Sequence, residues 1–242
     1  MNQYNPNVAA RPNMDAGLRD YMLGTYRWMA AAMAVTGTVA YFTSQFIATN
    51  PSAQAFLIGN AVVSLVFIGV VMFGFAAIGK RLPTMSLGSM VTALFGFAAL
   101  LGVIASPIAL FYDPVSIAKV FFMAVAMFGG LSLFGYSTNS NLGTGGRYAA
   151  MGFLAFVGIQ LLGLVFPALR PTGAGETIFL VVGLGLVAVI TAWETQQLKQ
   201  NYYAVAGMPG MAQKLSVFGA ASLLLAFYNI FILLLQLFGN RE

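Results

Sequence analysis

Residues 190–203, ITAWETQQLKQNYY, set a carboxylate, Glu194, near the end of a long apolar run in a chain with only six acidic residues. In helical register Thr191, Glu194, Gln197 and Asn201 follow one another at steps of three, three and four. They form one polar stripe, while Ile190, Ala192, Trp193 and Leu198 cover most of the remaining surface. An ionised side chain facing lipid costs several kcal/mol at the bilayer centre and less near the interface, so the stripe must face protein or water. Glu194 is therefore a candidate functional residue.

The rest of the chain agrees with that setting. Its 242 residues are 60% hydrophobic and 7% charged, against about a quarter charged in a soluble domain. This composition defines an all-α integral membrane protein, since there is too little polar surface for a solvated second domain. No cysteine is present, which excludes disulfides, thiolate nucleophiles and iron–sulfur sites. No histidine is present either, which removes HExxH zinc sites, Ser-His hydrolysis and the usual switch near neutral pH. No cofactor is called for and no enzyme activity is expected. The net charge of +5 is spread singly or in pairs at the ends of apolar runs, as topology signals rather than a nucleic-acid surface.

In chain order, residues 1–20 read as a flexible cytoplasmic tail rich in Asn, Pro and Ala. Residues 21–242 read as one domain of seven transmembrane helices at about 23–48, 56–79, 85–111, 116–136, 148–169, 177–198 and 215–238. Each is long enough to cross a hydrocarbon core of about 30 Å. Basic residues on the amino-terminal side are Arg11, Arg19, Arg27, Lys80, Arg81, Arg147, Lys199 and Lys214; the other side has Lys119, Arg170 and Arg241. Eight against three places the amino terminus in the cytoplasm and the carboxyl terminus outside. No internal repeat supports an inverted-repeat transporter.

Three further patterns bear on function. Residues 74–80, GFAAIGK, have phosphate-loop spacing, but Arg81 stands where Ser or Thr should hold magnesium, and the segment lies inside an apolar span. Gly143, Gly145 and Gly146 with Arg147 read as a plain turn more readily than as an anion nest. In the seventh span Ser222, Asn229 and Gln236 recur every seven residues, and Ala226 leaves a gap in that stripe. Their bland reading is interhelical packing through hydrogen bonds of about 1 kcal/mol each. The bland reading of Glu194 is an interfacial carboxylate paired with Lys199 or Lys214.

LRDYMLGTYRWMAAAMAVTGTVAY near the start, SIAKVFFMAVAMFGGLSLFGYSTNSNL in the fourth span, TAWETQQLK in the sixth and SLLLAFYNIFILLLQLFG in the seventh resemble the Bax inhibitor-1 family, in its bacterial YccA-like branch, from about Leu18 onward. The resemblance implies a central seventh helix wrapped by two three-helix layers, in a bacterial inner membrane. It also implies a pH-sensitive calcium leak, and modulation of a membrane-anchored AAA protease of the FtsH type. Family members carry an AYDTQ motif in the sixth helix and YLDFIN in the seventh, whose two aspartates share a proton. Here the first position is Glu194 and the second is Ala226, so the carboxylate pair is absent.

Two functions remain. In one, the stripes of the sixth and seventh helices line a closed polar passage, with Glu194 as a protonation site and weak calcium ligand, supported by Asn229, Thr191 and Gln197. In the other, the protein is a non-conducting regulator of a membrane protease or of membrane stress, acting through its cytoplasmic tail and loops.

Overall fold

A computed structural model describes residues 12–205 and 208–241, with side chains from residue 16 onward. Among the described residues the chain is helical apart from short turns. The helices are α1 (Pro12–Thr49), α2 (Pro51–Leu57), α3 (Ala61–Arg81), α4 (Leu87–Ala105), α5 (Ile108–Phe111), α6 (Pro114–Ser137), α7 (Gly143–Val165), α8 (Ala174–Ala204) and α9 (Met211–Phe238). Six spans are long and apolar enough to cross a membrane: α3, α4 together with α5, α6, α7, α8 and α9. The chain is a multi-pass membrane protein. Helix α1 is not among the six, because Thr36, Thr38, Tyr41, Thr43, Ser44 and Gln45 dilute its apolar run.

Local chemistry sets several boundaries. Asn60 Oδ1 accepts the Val62 and Val63 amides and starts α3, Ser86 Oγ accepts the Ser89 amide, and Asp113 Oδ2 accepts the Ser116 amide at 2.9 Å. Pro114 follows Asp113 in the first turn of α6, where its missing N–H costs nothing. The expected third span over 85–111 is found as one span, Leu87–Phe111, whose helix is interrupted at Pro107, which cannot continue α4, before α5 restarts. The expected second span begins later than 56, because Gly59 and Asn60 separate the short α2 from α3. Residues 74–80 are the last turns of α3, with no phosphate-loop geometry.

Two other expectations are corrected. Residues 1–11 of the expected tail lie outside the described residues, but 12–20 form the first turns of α1. Their composition does not suggest a helix; tertiary burial supports it, since Leu18, Tyr21 and Met22 are buried. Residues 143–147, read as a turn, are the first turns of α7. Asn141 Oδ1 accepts the Gly143 amide and Arg147 Nε donates back to the Gly143 carbonyl, so the glycines begin a helix rather than an anion nest.

Helix α9 is the centre of the bundle. It packs against α1, α4, α6 and α8, and 61% of its most apolar window is buried, against 6% for α3. An apolar helix enclosed in this way carries hydrophobic residues all round, as Leu223, Leu224, Phe227, Ile230, Leu234 and Leu235 do here. One layer holds α1, α3 and α4; the other holds α6, α7 and α8. Small residues set the close approaches. A Cβ on Gly102 of α4 would meet the Thr36 carbonyl of α1 at 2.6 Å, and Thr36 Oγ1 donates across the same contact to the Ala98 carbonyl at 2.9 Å. After α9 the chain is held to the α5–α6 connection: the Asn240 amide donates to Ser116 Oγ, the Asp113 amide donates to the Asn240 carbonyl, and Arg241 Nε donates to Tyr112 Oη.

Candidate functional site

The second half of α8 is fastened to α6 and to the α6–α7 connection by a row of side chains on either side of Glu194. Thr195 Oγ1 lies 3.2 Å from Ser132 Oγ of α6, and also donates to the Thr191 carbonyl. One turn further, Lys199 Nζ donates to the Tyr136 carbonyl at 3.2 Å and stands 5.1 Å from the centre of the Tyr136 ring. The two contacts advance by four residues on both helices, so α6 and α8 run parallel with their carboxyl ends together. Between them Gln196 reaches the connection itself. Its Oε1 accepts the Leu142 amide at 2.9 Å and its Nε2 donates to the Ser140 carbonyl at 2.8 Å.

The backbones are close here because two glycines allow it. A Cβ on Gly135 of α6 would strike the Ala192 carbonyl, and one on Gly146 of α7 would strike the Trp193 ring. Glu194 therefore sits beside two close approaches, one residue from Trp193 and two from Ala192. Its side chain is half-buried, its Oε2 is fully enclosed, and that oxygen accepts no hydrogen bond among the described residues. The neighbouring Trp193 Nε1 is likewise buried without an acceptor. A carboxylate oxygen in that state lacks the compensation that buried polar groups normally find.

The partners expected for Glu194 are elsewhere. Lys199 is engaged with Tyr136, and Lys214 Nζ donates to the Pro83 carbonyl at the α3–α4 turn, so neither acts as its counter-charge. Thr191 is fully buried and its hydroxyl donates back to the Val187 carbonyl. Gln197 is half-buried and donates to Gln200 along its own helix, and Asn201 is exposed. The stripe read from the sequence is therefore divided: Thr191 faces inward, Glu194 and Gln197 lie at the edge, and Asn201 faces out.

The register of α8 against α9 places the remaining candidates. The two helices join through a short connection and pack as antiparallel neighbours, with Leu198 against Gly219, where a Cβ would collide with it. Four residues back along α8 and four forward along α9, Glu194 is level with Leu223. By the same count Thr191 is level with the buried Ala226. Asn229 lies nearly two turns beyond the Glu194 level, roughly 9 Å along the axis. Ser222, Asn229 and Gln236 are half-buried and form no interhelical hydrogen bond among the described residues, so the packing role expected of them is absent.

Gln196 and Thr195 are the residues that sequence reasoning passed over. Spacing did carry a signal for Thr195, since Thr195 and Lys199 are four apart and meet Ser132 and Tyr136, also four apart. For Gln196 there was none, because its partners are backbone groups more than fifty residues away.

A parallel-and-antiparallel helical bundle closed around one apolar helix, with Glu194 the one enclosed unpartnered carboxylate among the described residues, defines an α-helical multi-pass membrane protein. The family model described as "Inhibitor of apoptosis-promoting Bax1" matches residues 18–242, and the chain belongs to this Bax inhibitor-1 family. It is similar to uncharacterized protein RP147 of Rickettsia prowazekii, at 35% identity over 230 residues, covering 94% of this chain and 92% of that one. It is also similar to inner membrane protein YbhL of Escherichia coli K12, at 31% identity over 233 residues and 94% of each chain. An uncharacterized protein of Caulobacter vibrioides aligns at 30% identity over the whole of both chains.

Proposed function

We propose that this protein is a seven-span inner-membrane protein in which Glu194 is an intramembrane cation and proton site. The observation that carries the reading is the enclosed Glu194 Oε2, which has no hydrogen-bond partner among the described residues, while Lys199 and Lys214 are held by backbone carbonyls. A carboxylate left uncompensated at membrane depth has a reason to bind a proton or a cation. Glu194 takes the place of the aspartate in the family's sixth-helix motif, so the likeness and the geometry point to the same residue. Helix α1 supplies the seventh span: its 38 residues extend about 57 Å, and it packs along α4 and α9. The distribution of Lys and Arg supports a cytoplasmic amino terminus and an outside carboxyl terminus. The printed description of the Escherichia coli relative supports the inner membrane.

The test is calcium flux into dye-loaded proteoliposomes of the purified protein, stepped from mildly alkaline to mildly acidic pH. The parent is compared with Glu194→Gln. Flux that depends on pH in the parent and is lost or no longer pH-dependent in Glu194→Gln supports the reading; flux unaffected by the substitution overturns it.

One observation favours a second reading, a non-conducting regulator of a membrane-anchored AAA protease of the FtsH type or of a membrane stress response. The position that the resemblance assigns to a second aspartate is Ala226, a buried residue without a carboxylate, and Asn229 is too far along α9 to replace it. On this reading the parent is silent in the flux assay and partner capture depends on the amino-terminal segment. Leu18 is buried in the bundle, so the appropriate deletion is residues 2–11, which leaves α1 whole.

A further inference from the structure

A cleft of about 620 Å³ lies where the first turns of α1 and α9 meet the end of α8, well away from Glu194. Its lining is unlike that of the apolar cavity of about 280 Å³ between α1, α6 and α9. The walls carry one carboxylate, Asp20, three aromatic rings, Tyr21, Trp28 and Tyr202, and two polar side chains, Gln213 and Ser216. Several contacts hold these walls in place. The Tyr21 and Tyr202 rings pack with centroids 5.3 Å apart, and Trp28 is set edge-on against Phe95. Tyr202 Oη lies against Gly17, where a Cβ would collide with it. Ser216 Oγ bonds to Thr25 Oγ1 at 3.1 Å across the α1–α9 contact.

We propose that this cleft binds a primary alkylammonium group, from the headgroup of a zwitterionic lipid or from a free polyamine. A carboxylate and aromatic rings lining one cleft are the chemistry that recognises an ammonium ion, by charge pairing and by the negative faces of the rings. Asp20 is exposed to the cleft and pairs with no basic side chain among the described residues. Its chain neighbour Arg19 points away on the helix, as adjacent residues do. Ser216 Oγ and the Gln213 side-chain carbonyl supply acceptors for the ammonium hydrogens. The surrounding end of the molecule is basic, with Arg19, Arg27, Lys80, Arg81 and Lys214. That charge suits a zwitterion, whose phosphate would meet these cations while its ammonium enters the cleft.

The test uses the full chain and two probes. Native mass spectrometry from micelles with equal phosphatidylethanolamine and phosphatidylglycerol reads lipid retention. Isothermal titration of putrescine into protein in phosphatidylglycerol nanodiscs reads the free amine. The parent should retain phosphatidylethanolamine over phosphatidylglycerol, bind putrescine, or both, and the probe that binds identifies the source. Asp20→Asn and Trp28→Leu should each weaken that binding about tenfold, while Asp20→Glu keeps it. Trp28→Leu keeps the test decisive if Asp20→Asn does not fold. The proposal is overturned if neither probe shows a preference in the parent. It is equally overturned if the folded Asp20 or Trp28 variants bind as the parent does.

Discussion

Gln196 and Leu142 are joined across 54 positions of sequence: the glutamine Oε1 accepts the Leu142 amide at 2.9 Å while its Nε2 donates to the Ser140 carbonyl at 2.8 Å. One side chain thus satisfies both backbone polarities of a connection that forms no ladder of its own.

Gln196→Ala should therefore destabilise the protein by about 1 kcal/mol, the net worth of hydrogen bonds to part-buried backbone groups that water can reach once the side chain is gone. Faster hydrogen exchange should be confined to residues 138–142 and the first turn of α7. Thermal unfolding in detergent and exchange mass spectrometry check both; unchanged exchange in that segment would remove the tethering role.

The close approaches beside Glu194 make a paired prediction from glycines. Gly135→Ala puts a methyl group into the Ala192 carbonyl and Gly146→Ala puts one into the Trp193 ring. Each should cost about 1–3 kcal/mol, as overpacking does. Gly145→Ala, one residue away on the same helix with open space around its Cβ position, should be neutral or stabilising by up to about 1 kcal/mol. Unfolding temperatures of the three variants decide it.

Glu194→Gln replaces an acceptor that can carry charge by a neutral amide of the same shape. At alkaline pH this should raise the unfolding temperature by about 2–4 °C, because no charge then has to be enclosed without a partner. The difference should narrow as the pH falls, since a protonated acid and an amide are equal in charge. A variant less stable than the parent at alkaline pH would mean that Glu194 has a partner in the membrane.

Ala226→Asp places a second carboxylate level with Thr191, one turn of α8 from Glu194. The site is buried, so the variant should be less stable than the parent by about 2 kcal/mol or more. If the two acids meet, it should also give the proteoliposomes a leak that opens or closes with pH. A leak in this variant alone would identify the parent as a member that keeps the fold without the gate.

Asp113→Ala removes the carboxylate that receives the Ser116 amide at the start of α6. A loss of about 1 kcal/mol is expected, as for other N-caps. Ser116 also receives the Asn240 amide, so the carboxyl-terminal segment should become more accessible to protease in the same variant.

Much of the architecture was legible in the chain itself. Long apolar runs separated by Lys80-Arg81, Asp113-Pro114 and similar breaks marked where spans begin and end, because lipid demands helices with their polar ends outside. The isolation of Glu194 among so few acids marked it as unusual for the same reason. What the sequence did not carry was which polar groups meet. Thr191, Glu194 and Gln197 share a stripe by spacing, yet the residues that cross to α6 and to the α6–α7 connection are Thr195, Gln196 and Lys199, where Gly135 lets the α6 and α8 backbones approach. Lys199 and Lys214 were candidate partners of Glu194 by sequence, but the Tyr136 carbonyl of α6 and the Pro83 carbonyl of the α3–α4 turn hold them. Helix periodicity places a side chain on a face; the packing of neighbouring helices alone decides what that face meets.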